Sequence, residues 1–279
     1  MTIAETLRQR VGAKPETRAD VLAVEEPLEI RVRGRSIAVT MRTPGNDEEL
    51  AAGFLLTEGI IRKRSDVIQI APCLQGEHPQ NTLNVFLTRR VVVDFEKLTR
   101  HVFASSSCGL CGKASIEAVH QHFLPVESGL KISAKLLSQL PTKMRAAQKT
   151  FAKTGGLHAA AVFNAKGKLI FLREDVGRHN AVDKVIGAGF LENKLPFSNH
   201  ILLVSGRASF EIVQKALAAR IPIIAAISAP SSLAVEFAKE SGQTLIGFLR
   251  GDTMNLYSYP ERIFAQSACG VGFRRKTKM

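Results

Sequence analysis

Residues 200–228, HILLVSGRASFEIVQKALAARIPIIAAIS, carry a pattern from which the fold class can be predicted. Two apolar runs, HILLVSG and IPIIAAIS, flank a segment with apolar residues at helical spacing, SFEIVQKALAAR. The pattern continues with a second helical segment, SSLAVEFAKESG, and a third apolar run, TLIGFLR. Strands that are apolar throughout and alternate with helices of about ten residues are typical of a largely parallel sheet covered on both faces. We therefore predict an α/β fold for this half of the chain.

Outward from this segment, the chain predicts further strands and helices. The stretch LEIRVRGRSIAVTMRTP alternates apolar and polar residues about Gly34-Arg35 and predicts a hairpin, and AAAVFNAKGKLIFLRED predicts another. The first twenty residues are polar, so we expect them to fray. Helices are predicted from Asn46 or Asp47 to Ile61, over 133–153 up to Gly155-Gly156, and over 178–189, and strands at 67–74, 81–87 and 90–96.

These elements predict two parts. Residues 1–99 form an N-terminal α+β region of hairpin, helix and strands, and residues 100–279 form a C-terminal α/β domain with a mixed or parallel sheet and helices on both faces. With 279 residues, 45% of them apolar, the chain can bury a sizeable core. No stretch approaches the roughly 20 apolar residues of a membrane span, and the start, MTIAETLRQR, lacks the apolar core of a signal peptide. We expect a cytoplasmic protein that does not bind membranes.

The segment ASSSCGLCGKASIEA, residues 104–118, places two cysteines in a C-x-x-C motif. A zinc site needs four protein ligands, or three and water, and this motif supplies two. His158 is a candidate third ligand, as in the zinc deaminases, but their H-x-E motif would need a glutamate where Ala160 stands. We therefore predict no tightly bound zinc and no hydrolytic deamination.

Two other chemistries remain open for Cys108 and Cys111. C-G-L-C has the spacing of a thioredoxin-like redox site, although it lies in the middle of a much larger chain. Alternatively, a helix start and the Lys113 ammonium lower the pKa of a thiol that accepts sulfur as a persulfide. Cys73 and Cys269 stand alone, and we interpret them as buried structural residues.

Three loops predict an anion site. Each places small or hydroxyl residues just before a helix, where free backbone N–H groups bind anions, and the ends of parallel strands gather such loops together. Ser205, Arg207 and Ser231 are the candidate ligands of a phosphorylated molecule; the alternative is that the hydroxyl and carboxylate residues are only helix caps. The loops are SGRASFE (205–211), SAPSSLAVE (228–236) and REDVGRHNAVDK (173–184).

Other polar residues in these loops are weaker candidates. Asp175 and His179 have the side chains of an acid and base pair, but they are interpreted more simply as a cap and a first-turn polar residue. The loop GFLRGDTMNLYSYPER offers Arg250, Asp252 and Asn255, and an aspartate is suited to accept hydrogen bonds from guanine.

Together, several motifs resemble the FdhD family of formate dehydrogenase accessory proteins. They occur in order from about residue 25 to residue 263 of the chain. The matching stretches are SSSCGLCGKASIE, TGGLHAAAV, REDVGRHNAVDKVIG, LLVSGRASFEIVQKA, SAPSSLAVE and GFLR with MNLYSYPERI.

The resemblance implies a sulfur carrier, or sulfurtransferase, with a cytidine-deaminase-like fold. Such a carrier takes persulfide sulfur from a cysteine desulfurase and transfers it to the bis-molybdopterin guanine dinucleotide molybdenum cofactor, which then enters formate dehydrogenase. By the resemblance, Cys108 carries the persulfide and Cys111 assists it. The residues that match the cofactor-binding stretch are Phe248, Leu249, Arg250, Gly251, Asp252 and Thr253. Guanosine diphosphate is then expected to bind as a fragment of that cofactor.

Two alternative functions stay open. One is a chaperone that binds and protects the cofactor without moving sulfur. The other is nucleic-acid binding through the net charge of +13, which is disfavoured because the chain has two tyrosines and no tryptophan for base stacking. We expect a homodimer, with the apolar N-terminal hairpin and helix as its interface.

Overall fold

The computed structural model describes residues 2–11, 16–73, 79–95 and 123–265. Its helices are α1 (Asp47–Thr57), α2 (Ala134–Ala147), α3 (Lys149–Thr154), α4 (Arg178–Leu191), α5 (Phe210–Ala218) and α6 (Ser232–Glu240). Its strands are β1 (Ile3–Arg10), β2 (Glu16–Ala23), β3 (Glu26–Val32), β4 (Arg35–Arg42), β5 (Val67–Pro72), β6 (Thr82–Leu87), β7 (Ile132–Ser133), β8 (His158–Asn164), β9 (Leu169–Asp175), β10 (His200–Val204), β11 (Ile223–Ala226), β12 (Thr244–Arg250), β13 (Thr253–Ser258) and β14 (Ile263–Phe264).

A six-stranded sheet organises the C-terminal half, in the order β13-β12-β11-β10-β8-β9. The three central strands β10, β11 and β12 are parallel, whereas β8, β9 and β13 pair antiparallel to their neighbours. Ile201 and Leu203 pack on one face with residues of α2, and Leu202 and Val204 pack on the other with residues of α4, α5 and α6. The predicted mixed α/β sheet with helices on both faces is confirmed.

A four-stranded sheet, β4-β3-β6-β5, organises the N-terminal part. The predicted hairpin is its β3–β4 pair, and the turn falls at Arg33 and Gly34, which both have positive φ. Buried Leu28 and Ile30 join Leu50 of α1 in an apolar cluster that also contains the inner residues of α4 and α5. One core therefore runs from the first half of the chain into the second.

The contact between α1 and α4 depends on two glycines. A Cβ atom at Gly53 would lie 1.9 Å from the carbonyl oxygen of Asp183, and one at Gly187 would lie 1.8 Å from the carbonyl oxygen of Glu49. Real Cβ atoms do not approach a carbonyl oxygen this closely, so only glycine permits the two backbones to touch. The apolar residues of α1 are therefore used inside the chain, and the expected homodimer stays a prediction.

Three local predictions are wrong. Residues 90–95 form no strand: the chain turns at Arg89 and Arg90, and the segment that follows does not pair with either edge strand of the four-stranded sheet, β4 or β5. Ile3–Arg10 and Glu16–Ala23, expected to fray, form a two-stranded antiparallel sheet. The helix predicted over 133–153 is two helices, since the Glu174 carboxylate accepts hydrogen bonds from the N–H groups of Thr150 and Phe151 and caps a new start.

The remaining elements agree with prediction to within a few residues. The α3 helix ends at Gly155, whose φ of 67° is the left-handed cap expected there. Within the described residues, no helix has the length and apolar composition that a bilayer crossing requires.

Candidate functional site

Loops from several strands meet at one end of the six-stranded sheet, which we call its carboxyl end because β9, β10, β11 and β12 all finish there. Backbone hydrogen bonds tie these loops together. The Ala208 N–H donates to the carbonyl of Ala229 (3.2 Å), and the Ser231 N–H donates to the carbonyl of Ala208 (3.0 Å). The Phe248 N–H donates to the carbonyl of Ser228 (3.1 Å). Ser205, Arg207, Ser231 and the 248–253 stretch are thus brought to the same end of the sheet.

The two predicted serines are partly engaged in the fold. The Ser205 hydroxyl accepts a hydrogen bond from the Ala159 N–H at 2.9 Å, and the Ser231 hydroxyl caps α6 by accepting from the Ala234 N–H at 3.2 Å. A hydroxyl that accepts one hydrogen bond still has its own hydrogen to donate. Each serine can therefore serve both as a structural residue and as a donor to an anionic ligand.

The two predicted arginines are exposed. The Arg207 side chain forms no hydrogen bond or ion pair with another described residue. The Arg250 Nε donates to the carbonyl of Ile227 at 3.1 Å, which leaves the two terminal nitrogens of that guanidinium to face solvent or a ligand. Both cations are placed to attract a negatively charged group.

The 248–253 stretch runs from the irregular end of β12 through a two-residue turn, Gly251-Asp252, to the start of β13. Phe248 has a φ of 52°, left-handed and strained for a bulky residue, and the residue is 38% exposed. The register between β12 and β13 shifts between Gly247 and Arg250. Strained backbone of this kind is concentrated at functional sites. Gly251 and Asp252 are exposed at the tip of the turn, and the Thr253 hydroxyl donates to the Arg250 carbonyl at 2.9 Å.

Leu249 differs from its neighbours in this stretch. Its side chain is fully buried in the cluster on the α2 face of the sheet. No part of Leu249 is exposed to solvent, so this residue supports the turn from inside the fold.

His158, Gly206 and Arg178 form a half-buried group near these loops, of which the sequence analysis considered only His158. A Cβ atom on Gly206 would lie 3.3 Å from Nδ1 of His158 and 3.7 Å from Cδ of Arg178, so glycine keeps these side chains close. The buried Nε of Arg178 has no hydrogen-bond partner among the described residues. Burial, and secondly the charge of Arg178, lower the pKa of His158. His158 is therefore neutral at neutral pH.

His179 lies at the start of α4, against the start of α5. Its Nε2 is 3.1 Å from the Ser209 hydroxyl and 3.7 Å from Glu211. Burial, followed by the charges of Lys215 and Arg178, lowers the pKa of His179 to about 4. The imidazole is neutral at neutral pH, so it acts here as a hydrogen-bonding group.

Asp175 is fully buried and serves the fold. Its carboxylate pairs with the Lys184 ammonium at 2.6 Å and accepts hydrogen bonds from the N–H groups of Gly177 and Thr43. The bond to Gly177, two residues along the chain, supports the interpretation of Asp175 as a cap. No lone pair is directed to solvent, which argues against an acid and base role.

Below His179 lies a buried charge pair that sequence reasoning missed. The Lys215 ammonium is 2.8 Å from the Asp183 carboxylate and donates to the Thr57 hydroxyl at 3.0 Å. Burial by itself lowers the pKa of Lys215. The carboxylates of Asp183 and Glu58 have the larger combined effect, so the pKa of Lys215 is raised. The signal in the sequence was a lysine among apolar residues of a helix, in QKALAA.

The two cysteines of the C-x-x-C motif, Cys108 and Cys111, lie outside the described residues. Their roles, and the predicted absence of zinc, stay predictions. Cys269 also lies outside, whereas Cys73 is half-buried rather than fully buried.

Comparison with known proteins identifies the family. The family model described as FdhD/NarQ family matches residues 23–264. This chain belongs to the FdhD/NarQ family. A protein of Streptomyces avermitilis called Sulfur carrier protein FdhD is 49% identical over 96% of this chain and 97% of its own length. A Mycobacterium tuberculosis protein of the same name is 52% identical over 88% of this chain and 93% of its own length.

A solved structure agrees with the family assignment. The crystal structure of a formate dehydrogenase accessory protein from Desulfotalea psychrophila matches this chain with a TM-score of 0.76. The two are 27% identical, and the match covers 95% of this chain and all of the other. The FdhD/NarQ fold is therefore shared over nearly the whole length.

Proposed function

We propose that this protein is a sulfur carrier. Cys108 accepts sulfur from a cysteine desulfurase as a persulfide, with Cys111 assisting, and the sulfur is transferred to the bis-molybdopterin guanine dinucleotide molybdenum cofactor. That cofactor, a substrate of the reaction, then enters formate dehydrogenase. The observation that carries the proposal is membership of the FdhD/NarQ family, with relatives about half identical named as sulfur carrier proteins.

The carboxyl end of the sheet supports the proposed substrate. The cofactor has two diphosphate groups and two guanines, so its site needs cations, hydrogen-bond donors and an apolar surface for a base. Arg207 and Arg250 supply the exposed charge, and the serine hydroxyls and helix starts supply donors. Phe248 is exposed and Asp252 is an exposed residue four positions further along the same stretch, which suits a guanine that stacks on one residue and donates to the other. Within this proposal, the C-terminal domain is cytidine-deaminase-like.

The sulfur-accepting step is a simple exchange. The thiolate of Cys108 attacks the terminal sulfur of the donor's persulfide, the sulfur–sulfur bond of the donor breaks, and the donor leaves as a thiolate. The product is a persulfide on Cys108, and no net oxidation or reduction occurs. A thiol with a lowered pKa is favoured for this step because the thiolate is the attacking species.

Intact mass spectrometry tests the proposal. After incubation with a purified cysteine desulfurase and cysteine, the chain should gain the mass of one sulfur atom, and Cys108→Ser should abolish the gain while Cys73→Ser keeps it. Formate dehydrogenase activation in cells should follow the same pattern. A chain that activates the dehydrogenase without ever gaining sulfur would be a cofactor chaperone, and the proposal would be wrong. Stoichiometric zinc that disappears in either C-x-x-C variant would overturn it in favour of metal chemistry.

A further inference from the structure

A second concave surface lies at the opposite end of the sheet, which we call the amino end. It is a cleft of about 310 Å³ where the last turns of α1, α4 and α5 converge. Its floor is apolar and includes Leu56 of α1, Phe190 of α4 and Ala218 of α5. None of the predicted site residues takes part in it.

The rim of this cleft is basic. Arg62, Lys63, Arg64 and Arg220 line it, and none of the described lining residues is acidic. Arg62 and Lys63 are exposed, and neither forms an ion pair with another described residue. Arg64 donates to the carbonyl of Val67 at 2.7 Å and keeps its charge at the rim.

The negative ends of three helix dipoles do not neutralise the four cations of the rim. A helix C-terminus carries about half a negative charge, so three helix ends offset about one and a half positive charges. The Asp66 carboxylate, attracted by Lys63 and paired with Arg90, offsets at most one more, so the rim keeps a net positive charge of at least about one and a half. An apolar floor with a net positive rim is complementary to an apolar side chain flanked by carboxylates.

The backbone of Arg220 is strained at this position. Its φ is 61°, the left-handed conformation just after α5 where glycine is usual and a residue with a Cβ is strained. The guanidinium of Arg220 donates to the carbonyl of Leu124, at the point where the described chain resumes at residue 123. The side chain thus fastens residues 123 and 124 beside the cleft.

We propose that this cleft docks an acidic segment of the sulfur-donating protein, with one apolar side chain of that segment on the floor and its carboxylates on the basic rim. The cleft is at the lower limit of volumes that hold small-molecule ligands, and Asn193 is the one uncharged polar side chain among its described lining residues. One or two side chains of a peptide segment fit it better than a nucleotide.

The choice of the donor rests on the proposed function. Residues 123 and 124, held at the cleft by Arg220, are the described residues that follow the C-x-x-C segment in the chain. The candidate ligands of the cofactor lie at the carboxyl end of the sheet instead. Residue 123 follows Cys111 by 12 positions in the chain, so a protein docked beside it lies within the reach of that covalent connection to the cysteines, at the end of the sheet that the proposed cofactor site leaves free.

Charge reversal on the full-length protein tests the docking site. The double variant Arg62→Glu/Lys63→Glu should raise the Kd for a purified cysteine desulfurase by at least about tenfold at low salt, measured by calorimetry. The control Lys149→Glu/Lys153→Glu makes the same charge change on exposed α3 residues and should leave the Kd unchanged. Arg220→Gly, which suits the left-handed backbone, should also weaken binding.

Inorganic polysulfide separates this inference from the proposed function. The rim variant should gain sulfur from polysulfide as the wild type does, while its gain from subsaturating desulfurase and cysteine is reduced. Equal desulfurase affinity in the wild type and the rim variant would overturn the docking site and leave the carrier function standing. A variant that loses self-association in sedimentation instead would identify a second copy as the occupant and also overturn it. If the wild type gains sulfur from neither source, the carrier function itself fails.

Discussion

The α4 and α5 helices begin at the carboxyl end of the sheet and finish at its amino end, and charge is arranged differently at the two ends. At their starts, His179 contacts Ser209 and Glu211, and one turn deeper Asp183 pairs with Lys215. At their finish, the rim cations stand over an apolar floor with no acidic residue lining it in the described chain. Charges that are paired inside the chain stabilise its fold, whereas charges left without partners on a surface are available to another molecule.

Removing one partner of the buried Asp183–Lys215 pair should have the largest effect on stability. Asp183→Ala leaves the Lys215 ammonium buried without its main partner, which costs about 3–5 kcal/mol in the free energy of unfolding. Urea unfolding measures it. The double variant Asp183→Leu/Lys215→Met removes both charges and should recover most of the loss. A single variant as stable as the wild type would show that the pair is not the source of stability at this end.

The α1–α4 contact belongs to the core that supports both ends of the sheet. Separating these two helices should therefore lower the stability of the whole core. Gly187→Ala places a methyl group against the Glu49 carbonyl, and the helices can accommodate it only by separating. We expect a loss of about 3 kcal/mol in unfolding free energy. Gly129→Ala is the matched control, because a Cβ atom there meets nothing within 4 Å and its φ is not left-handed. Equal stability of the two variants would contradict the close contact.

Ligand binding at the carboxyl end should be weakened by a smaller amount. Arg207→Ala and Arg250→Ala should each cost about 1.5–3 kcal/mol in guanosine diphosphate binding, the range for a charge-assisted hydrogen bond. The rim variant Arg62→Glu/Lys63→Glu should bind the nucleotide like the wild type, since it changes the other end. Calorimetry at low salt measures these affinities. Equal affinity for adenosine and guanosine diphosphates would remove the support for a guanine site.

The smallest effect concerns pH. The pKa of His179 is lowered in the folded chain from its ordinary 6.5 to about 4, by burial and then by Lys215 and Arg178. The unfolded chain binds this proton more readily, so the contribution to stability is complete above about pH 6.5 and is lost as pH falls through 4. His179→Gln should therefore flatten the decrease in unfolding free energy between about pH 7 and pH 5. An unchanged slope would show that His179 is not buried against these cations.

The alternation of β10, α5, β11, α6 and β12 could be predicted because each apolar strand is buried on both faces, so its sequence is unmistakable. The 90–96 run looked equally strand-like, but a strand must also pair with a neighbour in three dimensions, and a local pattern does not show whether it does. The Asp183–Lys215 pair joins two helices 32 positions apart, and no local pattern reveals such a distance. The carboxyl-end loops were recognisable as helix starts, whereas the role of Cys108 depended on resemblance to a family.

The length of α4 bears on the order of binding events. A helix of 14 residues spans about 21 Å, and α4 runs from one end of the sheet to the other. If the donor docks where α4 finishes and the cofactor binds near its start, the two do not compete for the same surface. A ternary complex can then form, and the rate of sulfur loading should depend on donor concentration in the same way whether or not guanosine diphosphate is bound.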